Sequence, residues 1–326
     1  MPCCSMEGGA FMLPYLLLIL GFVLLIKGAD FFVDGSSSVA GILKVPSVVI
    51  GLTIVSIGTS CPEAAVSITS GLSGNADISL GNVIGSNMFN LLMVIGVCSI
   101  VKAVPTPKEM LKRDMWWNVA VTAILFAMIY NFGKGKNGYI TRIEGILLLL
   151  GIIAYIVIVV RSALKNRVAA DDVKIMSVPR SVIYIIGGVA AIIFGGDLVV
   201  DNASKIAEQL GMSKTLVGLT IVAIGTSLPE LVTSVVAAKK GNAGIALGNA
   251  IGSSIFNILF ILGIASSLSP IKVDPDLVID TLILIGVAVM TLIFAKTKEE
   301  VNRAEGIVMV LCYCAYTAYI IIRCYA

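Results

Sequence analysis

Apolar runs of membrane-crossing length follow one another along almost the whole chain, separated by short polar breaks. A helix needs roughly 20 mostly apolar residues to cross the hydrocarbon core. Windows of that kind fall near 11–33, 45–70, 76–100, 115–132, 140–161, 180–201, 215–238, 243–268, 277–295 and 304–323. The pattern predicts an all-α integral membrane protein with ten transmembrane helices. The longest polar connection runs from Arg161 to Arg180, which leaves no room for a separate soluble domain. Trp116 and Trp117 open the fourth window, where an interfacial aromatic anchor belongs. The segment before the first window lacks lysine and arginine and carries Glu7, so it does not read as a secretory signal.

The windows repeat. Residues 51–96 lie on 218–263 without a gap, at a constant offset of 167, and more than half of the positions are identical. GLTIVSIGTSCPEAAVS becomes GLTIVAIGTSLPELVTS, and GNADISLGNVIGSNMFN becomes GNAGIALGNAIGSSIFN. Upstream, GADFFVD at Gly28 faces GGDLVVD at Gly195 in the same register. The chain therefore divides into an N-terminal five-helix repeat, 11–162, a cytoplasmic linker, 163–179, and a C-terminal five-helix repeat, 180–324. Five is odd, so the second copy enters the membrane from the opposite side. Inverted repeats of this kind build secondary transporters, with the binding site between the repeats near the midplane.

Charge sets the orientation. About two thirds of the 23 lysines and arginines fall in the loops after the odd-numbered windows, among them Lys108, Lys112, Arg113, Lys239, Lys240, Lys296 and Lys298. Cytoplasmic loops carry such an excess, so both termini are expected outside the cytoplasm, in a multi-pass protein of the plasma (inner) membrane. The loop Gly-Leu-Ser-Gly at 71–74 has no lysine, whereas the equivalent stretch holds Lys239 and Lys240, as inversion requires.

Composition narrows the chemistry. The chain is 58% hydrophobic and 13% charged, with a mean hydropathy of +1.01, which excludes a soluble enzyme and a disordered chain. A net charge of +3 without a basic cluster gives nucleic acid nothing to bind. Histidine is absent, which removes imidazole zinc sites and histidine triads. The seven cysteines show no metal or disulfide spacing, and Cys61 reads as a small apolar filler because Leu228 holds the matching place.

Two glutamates remain at membrane depth, Glu63 and Glu230. A buried carboxylate there should face the protein interior and meet a cation or a proton. Each follows a proline, Pro62 or Pro229, whose missing N–H opens the helix at the carbonyl of Gly58 or Gly225. Thr59, Ser60 and Glu63 share a helix face, as do Thr226, Ser227 and Glu230. Two such motifs facing each other supply the six to eight oxygens that Ca²⁺ prefers. Asn82, Ser86 and Asn90, and again Asn249, Ser253 and Asn257, form stripes of neutral oxygen suited to weakly held Na⁺, or to interhelical hydrogen bonds alone. The pairs Gly81/Gly85 and Gly248/Gly252 admit a close helix neighbour. Asp30, Asp34, Asp197 and Asp201 sit near span ends, where a solvated role is expected, with Lys27 and Asp30 as a local pair.

GTSCPE and GTSLPE, each followed by a GNxIGSxxFN segment, resemble the alpha repeats of the cation/Ca²⁺ exchanger superfamily, and within it the prokaryotic Na⁺/Ca²⁺ antiporter branch. The resemblance implies an antiporter, not an enzyme, that exports Ca²⁺ as Na⁺ enters, with both ions as substrates, no cofactor and no obligate protein partner. It implies that Glu63 and Glu230 bind Ca²⁺ while Thr59 and Thr226 contribute mainly backbone carbonyls. It further implies that Ser60, Ser86, Ser227 and Ser253 help to ligate Na⁺, with Asn90 and Asn257 at the centre. Some relatives carry Asp where this chain has Asn257, so K⁺ co-transport is not expected. The large loop of animal exchangers between spans 5 and 6 is missing, and with it regulation by Ca²⁺-sensing domains. An H⁺/Ca²⁺ antiporter, with protons on the two glutamates, is the alternative of the same class. A cation channel is a more remote one, and an intramembrane enzyme lacks any catalytic dyad.

Overall fold

The computed structural model describes residues 7–72, 77–130, 138–165, 175–212 and 223–325. Helix α1 (Glu7–Leu43) has 37 residues, about 55 Å at the α-helical rise. It is followed by α2 (Ser47–Thr59) and α3 (Cys61–Leu72), bent by 50° to each other. Next come α4 (Ile78–Val101), the short α5 (Lys108–Lys112), α6 (Asp114–Tyr130) and α7 (Arg142–Lys165). The second half repeats the order with α8 (Val178–Gln209), α9 (Ala223–Gly225), α10 (Leu228–Lys239), α11 (Ala243–Leu268), α12 (Pro275–Thr297) and α13 (Arg303–Tyr325).

Among the described residues seven helices are long and apolar enough to cross a membrane, or eight with α2 and α3 taken as one broken span. Three of the ten expected windows reach only in part into the described residues, the third losing only residue 76. The fourth keeps 115–130, within α6, and the seventh keeps about its last two thirds, since 213–222 lie outside. The second window, expected as one helix, is the broken pair.

Two helices form the interior. In the most apolar stretches of α4 and α11, 78% of residues are buried, against 11% in α13. On α7, by contrast, Ile143, Ile146, Leu147, Leu150 and Ile153 are all more than half exposed, as a lipid-facing surface requires. Both interior helices widen to π-type winding at matching places, Phe89–Val94 and Asn257–Ile261. A π turn adds a residue and re-aims the side chains beyond it, and such turns gather at functional sites.

Helices α1 and α8 run antiparallel in close contact. A Cβ on Gly21 would stand 2.9 Å from the Gly195 oxygen, one on Gly28 2.9 Å from that of Gly188, and one on Gly35 2.9 Å from that of Ser181. The three α1 glycines recur every seven residues, so they share one face. On α11, Gly248 and Gly252 admit α2 as expected, with Gly248 against the Val48 oxygen and Gly252 against Leu52. The segment that the repeat would set against Gly81 and Gly85 lies within 213–222, outside the described residues.

The halves interleave. The end of α4 packs on α13 through Gly96 and Gly306, and the end of α11 packs on α7 through Gly145 and Ser266. Two stubs of antiparallel sheet cross in the same way. Strand β1 (Val104–Pro105) pairs with β4 (Glu300–Val301), and β2 (Tyr139–Ile140) with β3 (Ile271–Lys272).

Candidate cation site

The break between α2 and α3 centres on Ser60, whose φ of -82° and ψ of 9° leave the helical region. Its counterpart Ser227, with φ -96° and ψ 5°, precedes α10 in the same conformation. Both lie in the sparsely populated bridge region where many active-site residues sit. Pro62 and Pro229 have no N–H for the carbonyls of Gly58 and Gly225, so the chain turns there instead of closing a regular rung. Thr59, Ser60 and Glu63 consequently do not share one continuous helix face. Ser60 is the corner, Thr59 ends one helix and Glu63 begins the next. Thr226 occupies the turn before Ser227 in the same way.

The two corners cross over. The Ser60 hydroxyl donates to Glu230 Oε1 at 2.9 Å, and the Ser227 hydroxyl donates to Glu63 Oε1 at 3.0 Å. Each repeat thus holds the carboxylate of the other, and both glutamates are buried and close enough to interact electrostatically. Ser86 Oγ lies 3.2 Å from Ser227 Oγ. Because the Ser227 proton goes to Glu63, Ser86 is the donor of that pair. Thr59 Oγ1 lies 3.0 Å from Asn249 Oδ1. The asparagines of the outer stripe act as struts. Asn82 donates to Ser67 Oγ and Asn249 to Ser234 Oγ, each at 3.0 Å.

What is left over defines the site. Glu63 Oε2, Glu230 Oε2, Ser253 Oγ, Asn257 Oδ1 and both amide atoms of Asn90 are buried with no hydrogen-bond partner among the described residues. Each unpartnered buried polar atom costs about 1–3 kcal/mol, and more for a charged group. Carboxylate, amide and hydroxyl oxygens with no thiolate or imidazole among them make a hard donor set, suited to Ca²⁺ and Na⁺. Among the described residues no cluster of three or more Cys, Asp or Glu side chains occurs, so the charge of the site comes from two carboxylates alone.

Asn87 was not singled out by the sequence. Its Nδ2 donates to the Ser254 backbone oxygen at 3.0 Å, and its Oδ1 accepts from Asn257 Nδ2 at 3.1 Å. Asn87 and Ser254 are repeat mates, 167 residues apart, and a residue meets its own mate only beside the pseudo-two-fold axis. The site therefore straddles that axis. Asp30 and Asp34 are not merely solvated, since Lys240 Nζ lies 3.3 Å from Asp30 Oδ1 and 2.7 Å from Asp34 Oδ1. Lys27 approaches Asp30 at 3.9 Å, as its spacing suggested.

The profile described as "Sodium/calcium exchanger protein" matches residues 13–161 and 180–322, one stretch in each repeat. The chain belongs to the sodium/calcium exchanger family. Its members are secondary transporters, not enzymes. The chain is 34% identical to "Putative antiporter CaxA" of Alkalimonas amylolytica, with 91% of this chain and 95% of the relative aligned. It is also 34% identical to "Sodium/calcium exchanger MaX1" of Methanosarcina acetivorans, over 93% of this chain and 97% of the relative. Its fold superposes on that of the sodium-calcium exchanger NCX_Mj with a TM-score of 0.82 at 30% identity, covering 94% of this chain and 98% of the other. This exchanger is therefore a cation/Ca²⁺ transporter built as two inverted repeats.

Proposed function

We propose that the protein exchanges Na⁺ for Ca²⁺ by alternating access, exporting Ca²⁺ from the cytoplasm as Na⁺ enters. The observation that carries this reading is the crossed pairing of Ser60 with Glu230 and of Ser227 with Glu63, which ties together two buried carboxylates of opposite repeats, each keeping one oxygen with no partner among the described residues. Ca²⁺ is bound by Glu63 and Glu230, with carbonyls at Thr59 and Thr226. Na⁺ is held by Ser60, Ser86, Ser227 and Ser253 beside the same carboxylates, and Asn90 and Asn257 line the centre. Two carboxylates are neutralised by one Ca²⁺ or by two Na⁺, so the ions compete for one cluster. A third Na⁺ would make the exchange electrogenic. The paired helices α1 and α8 move against the remaining bundle and expose the site to one side at a time.

Inverted vesicles test the coupling. A Na⁺ gradient drives ⁴⁵Ca²⁺ uptake that a protonophore leaves unchanged, if the reading holds. Uptake that follows a pH gradient and ignores Na⁺ would mean an H⁺/Ca²⁺ antiporter. Flux with no counter-ion requirement would mean a channel.

A further inference from the structure

Away from the cation site, a cavity of about 680 Å³ opens between α5, the start of α6 and the end of α12. Lys108, Lys112 and Lys296 line it together with Trp116, Ile293 and a single acid, Glu299. Lys108 is engaged with Glu299 at 3.3 Å. Arg113, next to the cavity, is turned away into a two-pronged contact with Asp114 at 2.8 and 3.0 Å. Lys112 and Lys296 form no ion pair among the described residues, so two cations stand uncompensated at one mouth.

The floor of this cavity is apolar and continuous with the lipid-facing surface, since Trp116 is 57% and Ile293 56% exposed. By the distribution of lysine and arginine it lies on the cytoplasmic side, at the depth of the headgroups. Tryptophan favours that layer because its ring is apolar while its N–H is polar. Basic pockets between helices on this side of a membrane bind anionic headgroups. We infer that the cavity holds one anionic glycerophospholipid, its phosphate between Lys112 and Lys296 and its acyl chains along Trp116 and Ile293. This inference does not depend on which cations are transported.

Fluorescence quenching by brominated lipids tests it, with W117F protein so that Trp116 is the sole tryptophan. In vesicles of phosphatidylcholine, dibrominated phosphatidylglycerol is expected to quench Trp116 with about 25-fold higher relative affinity than dibrominated phosphatidylcholine, about fivefold for each of the two lysines. Adding K112Q and K296Q removes that preference, about fivefold per lysine, whereas K112R with K296R retains it. R161Q, which alters an exposed cation on the same side, leaves it unchanged, and so does millimolar inorganic phosphate. Circular dichroism confirms that the glutamine variant is folded. Equal quenching by the two lipids, or a preference that survives the glutamine pair, would overturn the assignment. Loss of the preference in R161Q would reduce it to a general surface charge, and displacement by free phosphate would assign the pocket to a soluble anion.

Discussion

A buried carboxylate oxygen without a partner raises the energy of the fold, and two of them side by side raise it further. Glu63 Oε2 and Glu230 Oε2 both lack a partner among the described residues, their carboxylates interact electrostatically, and a divalent cation relieves both at once. The serine cross-links make the two halves of the site interdependent. A hydrogen bond to a charged group contributes about 1.5–3 kcal/mol, so S60A and S227A should each destabilise the cation-free protein by about that much, and by similar amounts. Thermal unfolding of the two variants without added cation checks this. A large loss in one with none in the other would show that the crossed pairs are not equivalent. The glutamates and serines were legible in the sequence because the repeat prints them twice. The crossing was not, because it depends on which halves face each other. Asn87 escaped for the opposite reason, since its mate is Ser254 and a comparison of the halves discards whatever differs.

At the scale of helices, the contact of α1 with α8 rests on glycine. A Cβ at Gly28 would stand 2.9 Å from a backbone oxygen of Gly188 and also 2.9 Å from Ala191 Cβ, and neither can yield without parting the helices. G28V should therefore cost about 1–3 kcal/mol, seen as a lower midpoint in thermal unfolding. G187A meets nothing within 4 Å and should leave the midpoint unchanged or slightly raised, because alanine favours the helix. Equal effects of the two substitutions would rule out close packing as the reason for glycine at 28. This seven-residue spacing was not read from the sequence, since glycine is common in membrane helices and nothing local marks which ones touch. Pro62 and Pro229 did announce an opened helix. The 50° bend at Ser60 was not legible, because it is set by packing on both sides of the corner. The π turns carry no compositional mark, and strands of two residues are too short to leave a pattern.

Over the whole molecule, an odd number of spans expected in each repeat would invert the second copy, and the contacts near the two ends agree with that layout. Lys108 meets Glu299 at one end, joining the loops after the third and ninth windows. Arg323 meets Asp280 at 2.8 Å at the other end, and Arg142 reaches the Leu268 oxygen there. Residues 298 and 272 should accordingly lie on opposite faces. In a chain without native cysteines, K298C should react with an impermeant maleimide from the cytoplasmic side and K272C from the other. The reverse outcome would invert the orientation while leaving the fold intact, and labelling of both from one side would contradict the inverted layout.

The central claim is that one shared site, built by both repeats, takes Ca²⁺ and Na⁺ in turn. Equilibrium ⁴⁵Ca²⁺ binding to the purified exchanger tests it most directly, measured for the unaltered protein, E63Q and E230Q with and without Na⁺. Removing one charge from a buried ionic contact costs about 2–5 kcal/mol, so either substitution alone should weaken binding at least ~30-fold, and Na⁺ should displace the single bound Ca²⁺ from the unaltered protein. Two Ca²⁺ bound per chain, or one that survives either substitution at undiminished affinity, would contradict the account.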